Sequence, residues 1–468
     1  MRPAVRERIF DGPAHPVPVA GPPEECGPDD IQRRSDLRRL SLVAVCLLAP
    51  GLAVRASANP LTPPPNTVVT WNQQALDTVR GVPLGDAAGA RLYAMVNVAM
   101  YDAVNGIDVA RHFRPRGSAL VPPDGAPFFG NRYAAASAAA HAVLVRLHPD
   151  RQAIYDARLA ADLDAIGGGP LVSAGREWGA EVGAQVVELR ADDGSTPAES
   201  QPGGSGPGQF PSSWSNVQFR NLRPFAIASS SVYVTAGPPP LDSVSYAGAL
   251  AEVKVLGSVA NADAALTNTF LFWVGGTGTA QPPGEWIKVA LSVAETRQVT
   301  ASLSDTARLM ALLSMSMADA VAPTFTTKFQ YHFWRPGTAI RMADTDGNPL
   351  TDADPAWTPR AGGFGTSPEH TSGHSSFAGA ATTALRGFFC RDRITFTLPS
   401  DSQPGQSRTY PSFSAAETEA GRSRVFGGIH FEFSNQAGLE TGRGVAREVL
   451  SGALLLRNGP THDGECPR

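Results

Sequence analysis

Apolar residues recur at helical spacing along most of the chain. Over Asp86–Ile107, the positions Leu92, Met95, Val96, Ala99, Met100, Ala103 and Val104 share one side of a 3.6-residue turn, which predicts a core helix. Arg132–Leu147 and Arg151–Ile166 read as an alanine-rich helical pair broken at His148, Pro149 and Asp150, and Glu177–Leu189 reads as a further helix. The pattern resumes at Tyr246–Val259, Pro283–Leu303 and Ser304–Ala322, with Ser304 and Asp305 as expected caps. The last of these is apolar nearly all round, so it belongs at the centre of the fold. Persuasive strand alternation is confined to Ile394–Leu398, followed by a turn-rich stretch at Ser400–Gly405. The expected fold is therefore all-α, built of helical bundles, with a small β-hairpin near 394–412. No internal repeat stands out.

Between the helical stretches, Asp193–Asn221 is rich in Gly, Ser and Pro and has no sustained period. It divides the chain into an N-terminal helical half (59–192), a loop (193–225) and a C-terminal helical half (226–468). With 42% hydrophobic and 18% charged residues the chain is globular, neither disordered nor a multi-span membrane protein. A net charge of -4 gives it no global attraction to nucleic acid or an anionic membrane. Residues 1–58 read as a signal peptide with a long lead: Arg33, Arg34, Arg38 and Arg39 precede the apolar run Leu40–Val54, and Ala56–Ala58 supplies small residues for cleavage. An exported protein, periplasmic or extracellular, is expected, with no stable membrane span after processing. Cys390 and Cys466 would then remain, as a disulfide or as two thiols.

Candidate chemistry gathers in the last third, in KFQYHFWRP (Lys328–Pro336), SGH (Ser372–His374) within SPEHTSGHSS, and SRVFGGIH (Ser423–His430). Lys328 and Arg335 are two helical turns apart, so on a helix both would project from one face. Pro336 disfavours helix at Arg335 and places that guanidinium at a helix end or turn. Ser372, Gly373 and His374 precede the helical run SSFAGAATTALRGFF, where a hydroxyl and backbone N–H groups can meet an anion. Arg424 and His430 would diverge by about 120° on a continuous helix. Gly427 and Gly428 between them allow convergence. Three cations, a hydroxyl and an amide suit a tetrahedral oxyanion such as vanadate or phosphate. His332 and His370 lie beside these blocks, while His112, His141 and His148 are expected to be structural. Trp273, Trp286, Trp334 and Phe364 are assigned to core packing. No HExxH, CxxC or GxSxG pattern supports a zinc site, a redox pair or a serine hydrolase.

Taken in order, the three blocks resemble the KxxxxxxRP, PSGH and SRxxxxxH signatures of the vanadium-dependent haloperoxidases and type-2 phosphatidic acid phosphatases. FWRPGTAIR, TDGNPLTDADPAWTP, GRSRVFGGIHFEFSNQAGLETG and AMVNVAMYDAVN look like the bacterial haloperoxidase branch. The resemblance implies a vanadate cofactor bound by Lys328, Arg335, Ser372, Gly373 and Arg424, with His430 supplying a nitrogen to vanadium. It implies that His374 is the acid and base toward hydrogen peroxide, and that halide, or an organic acceptor, is oxidised. The alternatives are an acid phosphatase, in which His430 attacks a phosphomonoester, and an inactive anion-binding protein. Two departures stand out. Thr371 replaces the proline before SGH, and Ser434 replaces the aspartate that usually orients the second histidine, which leaves His430 without an evident carboxylate and disfavours the phosphatase. No carboxylate partner for His374 can be chosen from the sequence. The oligomeric state, monomer or homodimer, stays open.

Overall fold

A computed structural model describes residues 66–113 and 115–455. The signal-peptide segment and Cys466 lie outside the described residues. The first helix, α1 (Thr67–Gly81), was not expected: its polar residues hide a buried stripe of Val68, Trp71, Ala75, Leu76 and Val79, and Asn66 caps it by accepting from Val68 N. It is followed by α2 (Asp86–Ala110), α3 (Arg132–Leu147), α4 (Gln152–Ile166) and α5 (Pro170–Leu189). The last starts earlier than its apolar pattern suggests because Pro170 stands at the first helical position, where its missing N–H costs nothing.

The second half contains α6 (Val244–Leu256), α7 (Ala264–Phe272), α8 (Gln281–Thr296), α9 (Leu303–Asp319), α10 (Val321–Tyr331), α11 (Pro336–Arg341), α12 (Gly373–Phe389), α13 (Phe413–Phe426) and α14 (Glu432–Gly452). Ser302, not Ser304, caps α9, accepting from Asp305 N. The run Leu303–Tyr331 is the one helix among the described residues long and apolar enough to cross a membrane, yet 94% of its apolar window is buried within the fold, so it serves as the core.

The helices α2 and α9 pack together at the centre, and their sequences correspond. Leu92–Val104 and Leu309–Val321 share Leu, Ala, Met and the string Asp-Ala-Val in one register. In each, the aspartate accepts three successive backbone amides. Asp102 holds Ala119, Leu120 and Val121 at 2.7–2.9 Å, and Asp319 holds Phe225, Ala226 and Ile227 at 2.6–3.1 Å. The internal repeat missed in the sequence is therefore real, and hidden because few positions are identical. It extends to the flanking helices. A Cβ on Gly179 of α5 would lie 2.0 Å from the Ala135 carbonyl of α3, and one on Gly442 of α14 would lie 2.0 Å from the Ser376 carbonyl of α12. Both pairs thus pack backbone to backbone, which only glycine permits.

The Gly/Ser/Pro-rich loop is ordered against the helices. Asp193 bonds Arg91 at 2.7 Å and Arg190 at 2.9 Å, and Phe210 N donates to the His332 carbonyl. Within the loop, β1 (Ser200–Gln201) and β2 (Trp214–Ser215) form a two-residue ladder too short to leave a sequence signal. The expected hairpin is present as β3 (Phe396–Pro399) paired with β4 (Ser407–Tyr410). Cys390 is exposed just beyond α12.

Candidate active site

Four chain segments bring the candidate side chains to one cavity of about 220 Å³, lined among others by Lys328, Arg335, Gly373, His374, Arg424 and His430. Lys328 lies in the last turn of α10. His332 then adopts a left-handed conformation (φ 45°) and ends the helix. Lys328 and Arg335 therefore do not share a helical face, contrary to the spacing argument. Arg335 is extended (φ -80°, ψ 156°) and precedes Pro336 at the start of α11, as the proline requires. Arg424 occupies the last turn of α13, and Gly428 at φ +73° turns the chain so that His430 faces the same space.

Ser372 departs from expectation. It caps α12, and its Oγ accepts from Ser375 N and from Ser375 Oγ at 2.9 Å; it is fully buried and is not part of the cavity wall. Gly373 is the first residue of α12 and does line the cavity, so first-turn amides without helical acceptors stand at its edge.

Two carboxylates escaped the sequence reading. Asp86, the first residue of α2, lines the cavity beside Gly373, where a Cβ on the glycine would lie 3.4 Å from Asp86 Oδ2. In the sequence it reads as an ordinary acidic helix start. The second is Glu369, within SPEHTSGH. Its Oε1 accepts from His430 Nδ1 at 2.9 Å and from Phe431 N at 2.9 Å. His430 is therefore firmly oriented despite Ser434, whose hydroxyl instead donates to the Glu369 carbonyl at 3.2 Å. The only sequence signal was an acidic residue three places before Ser372, and its reach to residue 430 is a tertiary property.

The cations are anchored on carbonyls. Arg335 Nε donates to Ser367 O at 2.7 Å, Nη1 to Ile429 O at 2.7 Å and to His430 Nε2 at 3.0 Å, and Nη2 to Ser367 Oγ at 3.2 Å. Lys328 Nζ donates to Pro368 O, and Arg424 Nη1 to Trp273 O at 3.2 Å. Burial lowers all three cations: Arg335 to about 10, Arg424 to about 9 with Arg335 adding repulsion, and Lys328 well below the lysine range. Burial pushes Glu369 up to about 7 against the pull of Arg335 and raises Asp86. Burial, then the neighbouring arginines, holds His374 and His430 well below the usual histidine range, so both are neutral near pH 7. His374 Nε2 lies 3.1 Å from the Val274 carbonyl, so a neutral ring donates there and carries its lone pair on Nδ1. A main-chain carbonyl, rather than a carboxylate, meets this histidine.

Of the aromatic residues assigned to packing, Trp273, Trp286 and Trp334 are in the core and Phe364 is half-buried. Trp273 stacks on Trp286 at 5.6 Å, and Trp334 is fully buried. Phe364 sits under the Arg341 guanidinium. His370 is bonded to Ala236 O at 2.9 Å and lies outside the cavity wall. His141 pairs with Asp156.

The donor set fits an oxyanion. Arg424 Nε is buried with no acceptor in the fold, a cost that an anionic guest would remove. Lys328, Arg335 and Arg424 face the same cavity, and His430 Nε2, within 3.0 Å of Arg335 Nη1, stands among them with its lone pair available, beside the His374 ring. Among the described residues, no group of three or more His, Cys, Asp or Glu could hold a bare metal cation. Vanadate, an oxyanion with a metal centre able to accept one nitrogen, matches the residues present.

Comparison with known proteins agrees with this chemistry. Residues 308–459 match the family described as the VCPO second helical-bundle domain. Vanadium chloroperoxidase of Curvularia inaequalis is 25% identical over an alignment covering 38% of this chain and 36% of that protein, so the match spans about a third of the relative's length. Among solved structures, a bacterial vanadium-dependent iodoperoxidase superposes with a TM-score of 0.69 at 22% identity, covering 86% of this chain and 100% of that one. A bacterial vanadium-dependent chloroperoxidase superposes with a TM-score of 0.61 at 16% identity, covering 80% and 94%. At these identities the superpositions establish the helical haloperoxidase fold, and the sequence match to the vanadium chloroperoxidase second helical-bundle domain covers residues 308–459.

Proposed function

We propose that the protein is a vanadate-dependent peroxidase that uses hydrogen peroxide to oxidise halide to hypohalous acid. The observation that carries this reading is the convergence of Lys328, Arg335 and Arg424 with a neutral His430 Nε2 on one cavity. When bound, vanadate supplies the Lewis acidity that makes peroxide oxygen electrophilic toward halide. The chain's own residues do the rest. Lys328, Arg335 and Arg424 hold the guest's oxygens, withdraw electron density and exclude competing cations, while the Gly373 amide adds the positive end of α12. His430 Nε2 offers a lone pair from a fixed ring. His374 Nδ1 accepts a proton from entering hydrogen peroxide, holds it on the ring and returns it to the departing oxygen as water. Val321, Phe325 and Phe377 form an apolar wall that limits water at the point of halide attack.

Because Glu369 orients His430, the missing aspartate at Ser434 no longer argues against phosphate transfer, and the ranking rests on the family match. The test is therefore paired. Vanadate-free protein is assayed for release of p-nitrophenol from p-nitrophenyl phosphate, and the vanadate-loaded protein for halogenation of a phenolic dye with peroxide and, in turn, chloride, bromide or iodide. Halogenation that saturates at one vanadate per chain is the expected result. Phosphate release that vanadate only inhibits, with no halogenation, would make the protein a phosphatase. Absence of both activities and of vanadate binding would make it an inert member of the fold.

A further inference from the structure

We infer that Glu369 is the positioning residue of the site: it fixes His430 as the Nδ1–H tautomer so that the Nε2 lone pair faces the guest, the task that a carboxylate four residues after the histidine performs in the lipid-phosphatase pattern. The inference deepens the vanadate reading and rests on it for its consequence, though not for its geometry. Two hydrogen bonds determine the tautomer independently. Arg335 Nη1, 3.0 Å from His430 Nε2, can only donate, so Nε2 carries the lone pair. Nδ1 must then bear the proton, and Glu369 Oε1 stands 2.9 Å away to receive it. That oxygen also receives Phe431 N–H, so it is held from two directions and cannot rotate away without orphaning a buried amide.

The arrangement does not depend on the charge of Glu369. Its other oxygen, Oε2, has no partner, and a proton there would leave both accepted bonds at Oε1 intact. The carboxylate is fully buried, and its own backbone is fastened: Glu369 N donates to Phe333 O, and the Glu369 carbonyl accepts from Ser434 Oγ. Ser434 thus occupies the usual aspartate position while the carboxylate arrives from the SGH segment. Arg335 completes the device. A guest that takes the Nε2 lone pair releases one Nη1 N–H, which then faces the guest's oxygens.

The test separates this role from the overall reading by using two probes and one direct observation. In protein labelled with ¹⁵N-histidine, long-range proton–nitrogen correlation on the vanadate-free chain reports the His430 tautomer, with His430→Asn assigning the signal. The expected state is Nδ1–H. An Nε2–H ring in the unaltered protein overturns the proposal, whether or not vanadate binds. Calorimetric titration with orthovanadate and with inorganic phosphate follows. Glu369→Gln keeps an oxygen acceptor and is expected to retain the tautomer and both affinities. Glu369→Ala is expected to weaken vanadate roughly 10–100-fold, as loss of a ligand's orienting partner does. It should leave phosphate, which needs the cations but no nitrogen bond, nearly unchanged. Ser434→Asp added to Glu369→Ala should restore vanadate binding in part. Equal losses for both anions, or a folded Glu369→Ala protein that retains vanadate affinity, would also overturn it. If vanadate fails to bind the unaltered chain while the ring is Nδ1–H, the vanadate reading fails and the positioning role stands.

Discussion

The two halves of the repeat offer the same cavity to opposite outcomes. In the shared register, Val104 matches Val321 and Asp108 matches Phe325; the first of each pair lines a pocket of about 60 Å³, the second the cavity of about 220 Å³. The start of the opposite central helix closes each one, Ser304 and Asp305 of α9 in the N-terminal half and Asp86 of α2 in the C-terminal half. In the N-terminal copy the charges are answered from within. Arg132 meets Asp108 at 2.8 Å, Ser304 donates to Asp108 at 2.6 Å, and Arg111 donates to the Phe128 and Gly130 carbonyls. In the C-terminal copy, an apolar Phe325 stands where Asp108 would be, and Arg424 Nε is left without an acceptor. The C-terminal copy thus leaves one guanidinium N–H unanswered at its cavity, where the N-terminal copy pairs Arg132 with Asp108.

The comparison can be broken most forcefully at what the halves share. Asp102→Ala and Asp319→Ala each leave three amides without their acceptor, at about 1–3 kcal/mol apiece, so each should lower unfolding free energy by about 3 kcal/mol or more. Denaturant titrations giving a large loss for one and none for the other would refute structural equivalence. Next in size is the contrast at the cations. Arg424→Ala should reduce vanadate affinity by about 2–5 kcal/mol in calorimetry, since it removes a buried charge partner. Arg132→Ala should leave vanadate affinity unaltered and lower only stability, because Asp108 loses its partner. A vanadate defect in the second variant would mean that the N-terminal pocket is not closed off.

Smaller effects sharpen the packing half of the comparison. Gly179→Ala and Gly442→Ala each force a methyl against a carbonyl and should cost about 1–3 kcal/mol in thermal or denaturant unfolding. Only Gly442→Ala should also weaken vanadate, because it shifts α12, whose first turn carries Gly373 and His374. The smallest is the pH dependence of the vanadate-free protein. His374 and His430 have values lowered in the fold, so the unfolded chain binds more protons below its histidine value of roughly 6.5. Their contribution to stability should be fully present above that pH and fall as pH drops toward the folded values, with His370, lowered to about 4, adding to the decline, while Glu369, raised to about 7, contributes in the opposite sense. A His374 or His430 ring that is protonated at about pH 6.5 in NMR titration of the folded, vanadate-free protein would contradict neutral imidazoles in the site.

The helices and the motif blocks were legible because they are local patterns: apolar spacing marked α2 and α9, and Pro336 and the Gly427–Gly428 pair located the turns that aim Arg335 and His430. What could not be read depended on contacts distant in sequence. Asp86 looks like a helix-start charge and Glu369 like a loop acid until the fold sets them beside Gly373 and His430. The shared face assigned to Lys328 and Arg335 failed because His332 adopts a left-handed conformation, which nothing in an unbranched helical period forbids or announces. The repeat escaped for the converse reason, since the interactions that persist, three amides on an aspartate and glycine against a carbonyl, need few identical residues.

Asp86 has a temporal implication. Because one wall of the cavity comes from the first turn of α2 and the others from segments between Val321 and His430, no partially synthesised stretch owns a finished receptacle. An oxyanion that needs all of these walls could be held only once the segment carrying His430 has docked against the first turn of α2.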